Sequence, residues 1–484
     1  MADRSSAPAT TAAEALAFTP VHELAPRIAT GELSPRTLVE AYLGRIARAD
    51  PKLHAFVALY GEEALQVADA CAVAIAAGHR LGPLHGVPIA IKDLCEIEGR
   101  VTTAGSRFWA ERVSTTTATA VRRLMGAGMI VLGKTHMVEF ALGAWGSNAA
   151  MGAPWNPWDL AVQRTPGGSS SGSGVAVAAG LAPVAIGSDT GGSVRIPSSL
   201  CGLVGLKVTA GRISNQGVVP LSTTLDTLGP MTRSVEDAAL LFAALNGPDP
   251  LDPATQPVPY LDPLPALKRG VAGLRLAMVQ PDELEGLTDE VATAYREAGA
   301  VLAGLGAHVE PVRLEGVSFL NLQRQTGILL SAEGYQQHRD WIERKDAPFD
   351  PHVQRRLLAG KSVSAADYIE TLAHMAEARR AMAAFMADHD ALLTPTTPVA
   401  AIPLAEVDED APPAASRYTR AVNYLGLCAL AMPMGFTAQG LPTSLQIVGK
   451  PYAEDTVLRI GWAFEQARPL LAQHRPDLSA LLGG

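Results

Sequence analysis

Long uninterrupted apolar runs are missing from this chain. No run approaches 18 residues without a Gly, Pro or polar break, so no segment reads as a membrane-spanning helix, and no membrane partner is expected. Basic runs are missing too. The net charge is −9, which argues against nucleic acid and anionic membrane surfaces as partners. Cysteine is scarce: Cys71, Cys95, Cys201 and Cys428 are scattered, with no CxxC pair. Neither a disulfide framework nor a zinc site is expected, and no metal or cofactor is assigned. A reducing cytoplasm is the simplest setting. The opening MADRSSAPATTAAEALAF has one early positive charge and no long apolar core, which makes a poor signal peptide.

What is present is apolar. Charged residues make up 18% of the 484 positions and apolar ones 48%, enough for a large core and too apolar for disorder. Such a length suggests two to four domains, yet no long polar linker separates them. The Pro-rich stretch from Pro248 to Pro265 reads as a surface excursion, because strand-like sequence resumes beyond it.

The pattern alternates. Ser34 and Pro35 are a cap and first turn for a helix with Leu38, Val39, Tyr42, Leu43 and Ile46 on one face. A helix over Gly61–Gly78 precedes a short strand, VPIAIKD, from Val87 to Asp93. Helix Thr119–Gly128, strand Met129–Leu132 and strand Val184–Ser188 follow. Helix Ser234–Leu245, strand Leu274–Val279 and helix Asp289–Gly304 repeat the theme. A mainly helical, polar insertion runs from about 316 to about 390, including a long helix over about 365–388. Strands return at Ala429–Pro433 and Thr443–Val448, before a closing helix near Asp455. The expected fold class is α/β: one large domain over residues 1–484, core about 20–470, with a central mixed, largely parallel twisted sheet covered by helices on both faces.

Two motifs mislead or compete. GMIVLGKT, from Gly128 to Thr135, fits the phosphate-loop pattern. Its Met-Ile-Val-Leu centre favours an extended buried strand over a loop of converging N–H groups, so it is rejected. GSSSG, from Gly168 to Gly172, fits the nucleophile-elbow pattern and would make Ser170 the nucleophile. WDLAVQRTP before it is a weak strand, although six histidines follow from His308 to His474. A second Gly/Ser run, GSDTGGSVRIP from Gly187 to Pro197, ends an apolar strand. Its glycines let backbone N–H groups converge on an oxyanion, which makes Ser193 a second candidate nucleophile. Lys92, closing the strand Val87–Ile91, is a candidate base once burial lowers its pKa. A strand-end lysine is also often a plain surface residue, so on these residues alone both routes stay open.

Together, PGGSSSGS from Pro166, GSDTGGSVRIP from Gly187 and GVPIAIKD from Gly86 resemble the amidase signature family of serine hydrolases. GKTHMVEF (Gly133 to Phe140), NPW (Asn156 to Trp158), CGLVGLK (Cys201 to Lys207), Gly229 with Pro230, and GLPTSLQIVG (Gly440 to Gly449) match further landmarks. The resemblance spans residues 20–470 or so. It implies a mixed sheet wrapped by helices and a catalytic set of Ser193 as nucleophile, Ser169 as a bridging serine after a cis peptide bond, and Lys92 as base. The oxyanion hole falls on the backbone of Thr190, Gly191, Gly192 and Ser193. Ser170 matches a supporting hydroxyl, and Asp189 with Arg195 a polar pair that braces the loop. His136 and Ser171 depart from the residues usual in the family. Leu142, Trp145, Met151 and Trp155 lie in the segment that approaches substrate in relatives, although core packing explains each equally well.

The implied activity is hydrolysis of carboxylic amides through an acyl-enzyme, on small apolar or aryl amides, with esters, anilides and carbamates (urethanes) open to the same site. No cofactor is implied, the partner is a small-molecule substrate, and a homodimer is in keeping with the family. The alternative is the amidase subunit of a tRNA-dependent glutamine amidotransferase. Such subunits typically carry an Arg-Tyr-Asp-Gly type run, whereas this chain reads SAEGYQQHRDWIER (Ser331 to Arg344) and DPHVQRRLLAG (Asp350 to Gly360).

Overall fold

In the computed structural model, residues 12–314 and 317–483 are described. Most of the N-terminal segment tested for a signal peptide, and the expected start of the helical insertion at 316, lie outside them. Among the described residues no helix is long and apolar enough to cross a membrane.

Eleven strands form one sheet: β1 Phe56–Leu59, β2 Pro88–Lys92, β3 Ile130–Thr135, β4 Ala185–Asp189, β5 Val204–Lys207, β6 Thr227–Thr232, β7 Arg275–Val279, β8 His308–Val312, β9 Ala391–Pro395, β10 Cys428–Phe436 and β11 Pro442–Gly449. Their order is β1-β3-β2-β4-β6-β5-β10-β11-β9-β7-β8. The sheet is mixed, as expected, but its parallel majority is not found. Parallel pairing is confined to β3-β2-β4 and to β9-β7-β8. The other pairs, β1-β3 and the whole central run β4-β6-β5-β10-β11-β9, are antiparallel. The strand–helix–strand rhythm is real where helices connect neighbouring strands. It fails in the middle, where β10 and β11 join through a tight connection with Gly440 at φ +78°. So short a link allows only antiparallel neighbours.

The helices follow local chemistry. Ser34 caps the helix Pro35–Leu53 by accepting the Arg36 N–H. Ser234 caps Val235–Leu245 through the Asp237 N–H. The helix Glu454–Ala467 packs on Val235–Leu245 and on β10. Its apolar stripe of Val457, Leu458, Ile460 and Phe464 is buried. GMIVLGKT is strand β3, not a phosphate loop: Ile130, Leu132 and Gly133 to Thr135 are buried in the sheet. Between β8 and β9 the helices Phe319–Ile342, Pro351–Ala359 and Ala365–Phe385 follow one another. The first packs against the short helix Arg417–Tyr424, which runs directly into the site.

Candidate active site

The Gly/Ser run does not form a linker. Every residue from Thr165 to Gly180 is buried, and its second half is the wholly buried helix Ser171–Ala178. Only small residues fit there. A Cβ on Gly172 would sit 2.3 Å from the Ala55 carbonyl oxygen. The Gly168–Ser169 peptide bond is cis.

Strand β2 delivers Lys92 to this run. Its ammonium is fully buried and donates to Ser169 Oγ at 2.7 Å and to Ser188 Oγ at 2.8 Å. Among the described residues no carboxylate pairs with it. The adjacent Asp93 turns away to accept from Lys134 Nζ at 3.1 Å, so of two neighbouring buried lysines one has a counter-ion and the other only hydroxyls. Burial therefore pushes the Lys92 pKa down to about 7, despite the weaker pull of Cys95, Asp189 and Asp226. Ser169 Oγ is held by a group poised to take its proton near neutrality.

Strand β4 delivers the second Gly/Ser run. Ser170 Oγ accepts the Ser188 N–H at 3.2 Å and donates to the Ser188 carbonyl, locking the two runs together. Ser193 sits at the end of the loop, nearly buried. Its carbonyl accepts the Ser170 N–H, and its Oγ has no hydrogen bond among the described residues. Lys92 thus reaches Ser169 directly, and no side-chain hydrogen bond joins Ser169 to Ser193 among the described residues.

Asp189 organises the turn. It accepts N–H bonds from Gly192 (2.8 Å), Val194 and Arg195, and a forked pair from the Arg195 guanidinium at 2.8 and 2.9 Å. Burial alone would raise its pKa. Arg195, with Lys207 and Asn423 behind it, instead holds the carboxyl well below the usual range. Arg195 also donates to Gln446 Oε1 at 2.7 Å and to Asn423. Gly192 takes φ +124°, where a Cβ would lie 2.2 Å from Thr419 Oγ1. Thr419 itself donates to the Gly191 carbonyl at 2.8 Å. With the Gly192 N–H spent on Asp189, the N–H groups of Thr190, Gly191 and Ser193 are the ones without an intramolecular acceptor among the described residues. Gly192 therefore shapes the loop rather than adding a free donor.

The four apolar candidates fall into two adjoining cavities. Met151 and Trp155 line one of about 590 Å³, and Leu142 and Trp145 line a small one of about 30 Å³. Arg356 and Glu409 border both. Trp155 is tied down through its indole N–H to the Asp159 carbonyl, with the Lys52 ammonium over its ring. His136 is buried beside the first cavity, and burial pushes its pKa down to about 4. Sequence reasoning misses Ser188, Lys134, Thr419, Asn423 and Gln446. Gln446 lies inside the landmark GLPTSLQIVG. Ser188 and Lys134 lie inside GSDTGGSVRIP and GKTHMVEF, whereas Thr419 and Asn423 carry no local signal, because they meet the loop from far along the chain.

The amidase family profile matches residues 37–458. The chain is 38% identical over 486 residues to the A subunit of the glutamyl-tRNA(Gln) amidotransferase of Moorella thermoacetica, covering 96% of this chain and 99% of that one. Among solved structures it is similar, at TM-score 0.87 and 33% identity over 93% of this chain and 99% of the other, to a chain from a vestigial protein complex that bears on the origins of an s-triazine catabolic enzyme. It is also similar to the peptide amidase of Stenotrophomonas maltophilia, at TM-score 0.80 and 33% identity over 95% and 98% of the two chains. The first relative corrects the expectation of a chain with only a small-molecule substrate and no link to nucleic acid. That relative is one member of an assembly, and the amidotransferase is named for a tRNA.

Proposed function

The chain belongs to the amidase family, and from that premise we propose that it is the amide-hydrolysing subunit of a tRNA-dependent amidotransferase, releasing ammonia from glutamine through an acyl-enzyme. The observation that carries this reading is the 38% identity to such an amidotransferase component over almost the full length of both chains. Four buried, unpaired cysteines suit a cytoplasmic setting.

In this reading neutral Lys92 takes the proton of Ser169 Oγ as Ser169 takes that of Ser193, and Ser193 Oγ attacks the amide carbon. The oxygen, now negative, accepts from the free N–H groups of Thr190, Gly191 and Ser193. The relay returns the proton to the leaving nitrogen, ammonia departs and an ester to Ser193 remains. Water, deprotonated by the same relay, releases glutamate and restores the hydroxyl. Asp189, Arg195 and Ser170 hold the loops and touch no reacting atom. Glu333 of the helix Phe319–Ile342 accepts from Ser222 and Thr224, and Asp350, which lines the larger cavity, accepts the Ala149 N–H.

The missing Arg-Tyr-Asp-Gly run between Ser331 and Gly360 favours a second reading, a free-standing amidase like the structurally similar peptide amidase. Ammonia release by the purified chain, alone and with amidotransferase partner subunits, separates the two. Glutamine turnover stimulated by the partners supports the first. Partner-independent turnover of a peptide C-terminal amide, an anilide or a carbamate, with glutamine untouched, supports the second.

A further inference from the structure

Among the described residues, one cation beside the Ser193 loop has nothing to neutralise it. Arg420, on the helix Arg417–Tyr424, lays its side-chain stem along Gly191. A Cβ built there would be 3.1 Å from Arg420 Cγ and 3.6 Å from its Nε. Beyond the stem the guanidinium passes Gly327 of the helix Phe319–Ile342, where a Cβ would lie 3.8 Å from Nη1. It borders the small cavity lined by Leu142, Gly143, Ala144 and Trp145. That cavity abuts the bridging serine's peptide, since the Ala144 carbonyl accepts the Gly168 N–H at 2.7 Å. Among the described residues the guanidinium makes no hydrogen bond and no ion pair.

The nearby carboxylates are already engaged. Glu409 accepts from Arg356 and from Ser147. Asp408 faces the cavity too, but its Oδ1 accepts the N–H groups of Asp410 and Ala411. Asp226 holds Thr190 and the N–H groups of Leu221 and Ser222. Burial, and then the like charge of Arg356, push the Arg420 pKa down to about 10, as befits a guanidinium without a counter-ion. An arginine left this way presents its five-donor fork to whatever enters.

We propose that Arg420 is a specificity-determining residue that receives a carboxylate carried on the acyl portion of the substrate. The scissile carbonyl then lies over the free N–H groups of the loop and the acid end reaches the small cavity. Naming that carboxylate as the α-carboxylate of glutamine rests on the amidotransferase reading. The acid preference itself does not, because any monoamide of a dicarboxylic acid would satisfy the same fork.

The test compares glutaric acid monoamide with pentanamide, its uncharged counterpart, on the full-length chain, with Ser193→Ala as background. The wild type is expected to favour the acid by about ten- to hundred-fold in kcat/KM. Arg420→Gln should shrink that ratio to near one, chiefly through KM, while Arg420→Lys keeps part of it. Equal turnover of the two substrates by the wild type overturns the proposal. So does an Arg420→Gln variant that loses both activities by one factor, which marks a structural prop. Should that variant fail to fold, competitive inhibition of the wild type decides: glutarate must bind at least about tenfold tighter than pentanoate, and equal binding overturns the assignment. Glutamine in the same assay isolates the other reading. Preference for the acid monoamide without glutamine turnover sinks the amidotransferase reading and leaves Arg420 in its role. Glutamine turnover with an unchanged ratio in Arg420→Gln does the reverse.

Discussion

At the scale of single residues, the site rests on one lysine kept without a counter-ion. Its pKa lies near 7 in the folded protein, well below the ordinary lysine value. The base works only when neutral, so kcat/KM should rise through about pH 7 and level off above it, where a flat profile from pH 5 to 9 would exclude Lys92 as the titrating base. Lys92→Met should reduce kcat by about 10²–10⁴. It should also unfold at higher urea, by about 1–2 kcal/mol, because an ammonium kept dry at a cost to the fold is gone. Lys92 and Ser193 were legible as candidates from the residues because one closes a strand and the other follows a pair of glycines; Ser169 came only from the family resemblance, and the structure brings it to Lys92. What keeps Lys92 neutral was not legible. That depends on Asp93 choosing Lys134 instead, and nothing in the letters KD says which lysine a carboxylate will face.

At the scale of elements, the loop Thr190–Ser193 is held by two parts of the chain that the sequence keeps far apart. Strand β4 and the helix after it supply Asp189 and Arg195, while the helix Arg417–Tyr424 and β11 supply Thr419, Asn423 and Gln446. Asp189→Asn leaves the buried Arg195 charge only half answered. A loss of about 3–5 kcal/mol in urea unfolding is expected, with activity lost alongside. The sign with pH follows from the Asp189 carboxyl being held below its unfolded value by Arg195, against the effect of burial. Its contribution is intact above the unfolded carboxylate pKa and disappears as pH falls through the lower folded value. Asp189→Asn should therefore flatten acid unfolding as well as weaken the fold at neutrality. Gly192→Ala would force a Cβ onto Thr419 Oγ1, and a kcat loss greater than the KM change is expected from a shifted loop. The elements were legible where hydrophobic period and caps agree, as in β2, β3 and the helix Val235–Leu245. The central antiparallel run was not, because β5 and β6 are short, Gly- and Pro-containing strands whose neighbours are chosen by the whole sheet.

At the scale of the whole molecule, pH pulls stability and catalysis in different directions. Glu465, on the helix Glu454–Ala467, accepts the Val235 N–H, and burial pushes its carboxyl up to about 8. A carboxyl raised above its unfolded value favours the fold at low pH, and that advantage erodes as pH climbs from the ordinary carboxylate range through about 8. Glu465→Gln keeps an acceptor for Val235 and removes the titration. It should nearly equal the wild type near pH 5 and exceed it near pH 9, by up to about 1.4 kcal/mol for each pH unit by which burial raises the carboxyl. Thermal unfolding at the two pH values would read this directly, and an equal shift at both would exclude the mechanism.

The clasp on the nucleophile loop also has a consequence in time. Arg195 emerges from the ribosome long before Asn423 and Gln446, and until they arrive its buried guanidinium has only Asp189. The clasp on that loop is therefore complete only once β11 is in place. A chain halted before β11 holds Lys92, Ser169 and Ser193, the groups proposed to perform the chemistry, yet it should be inert.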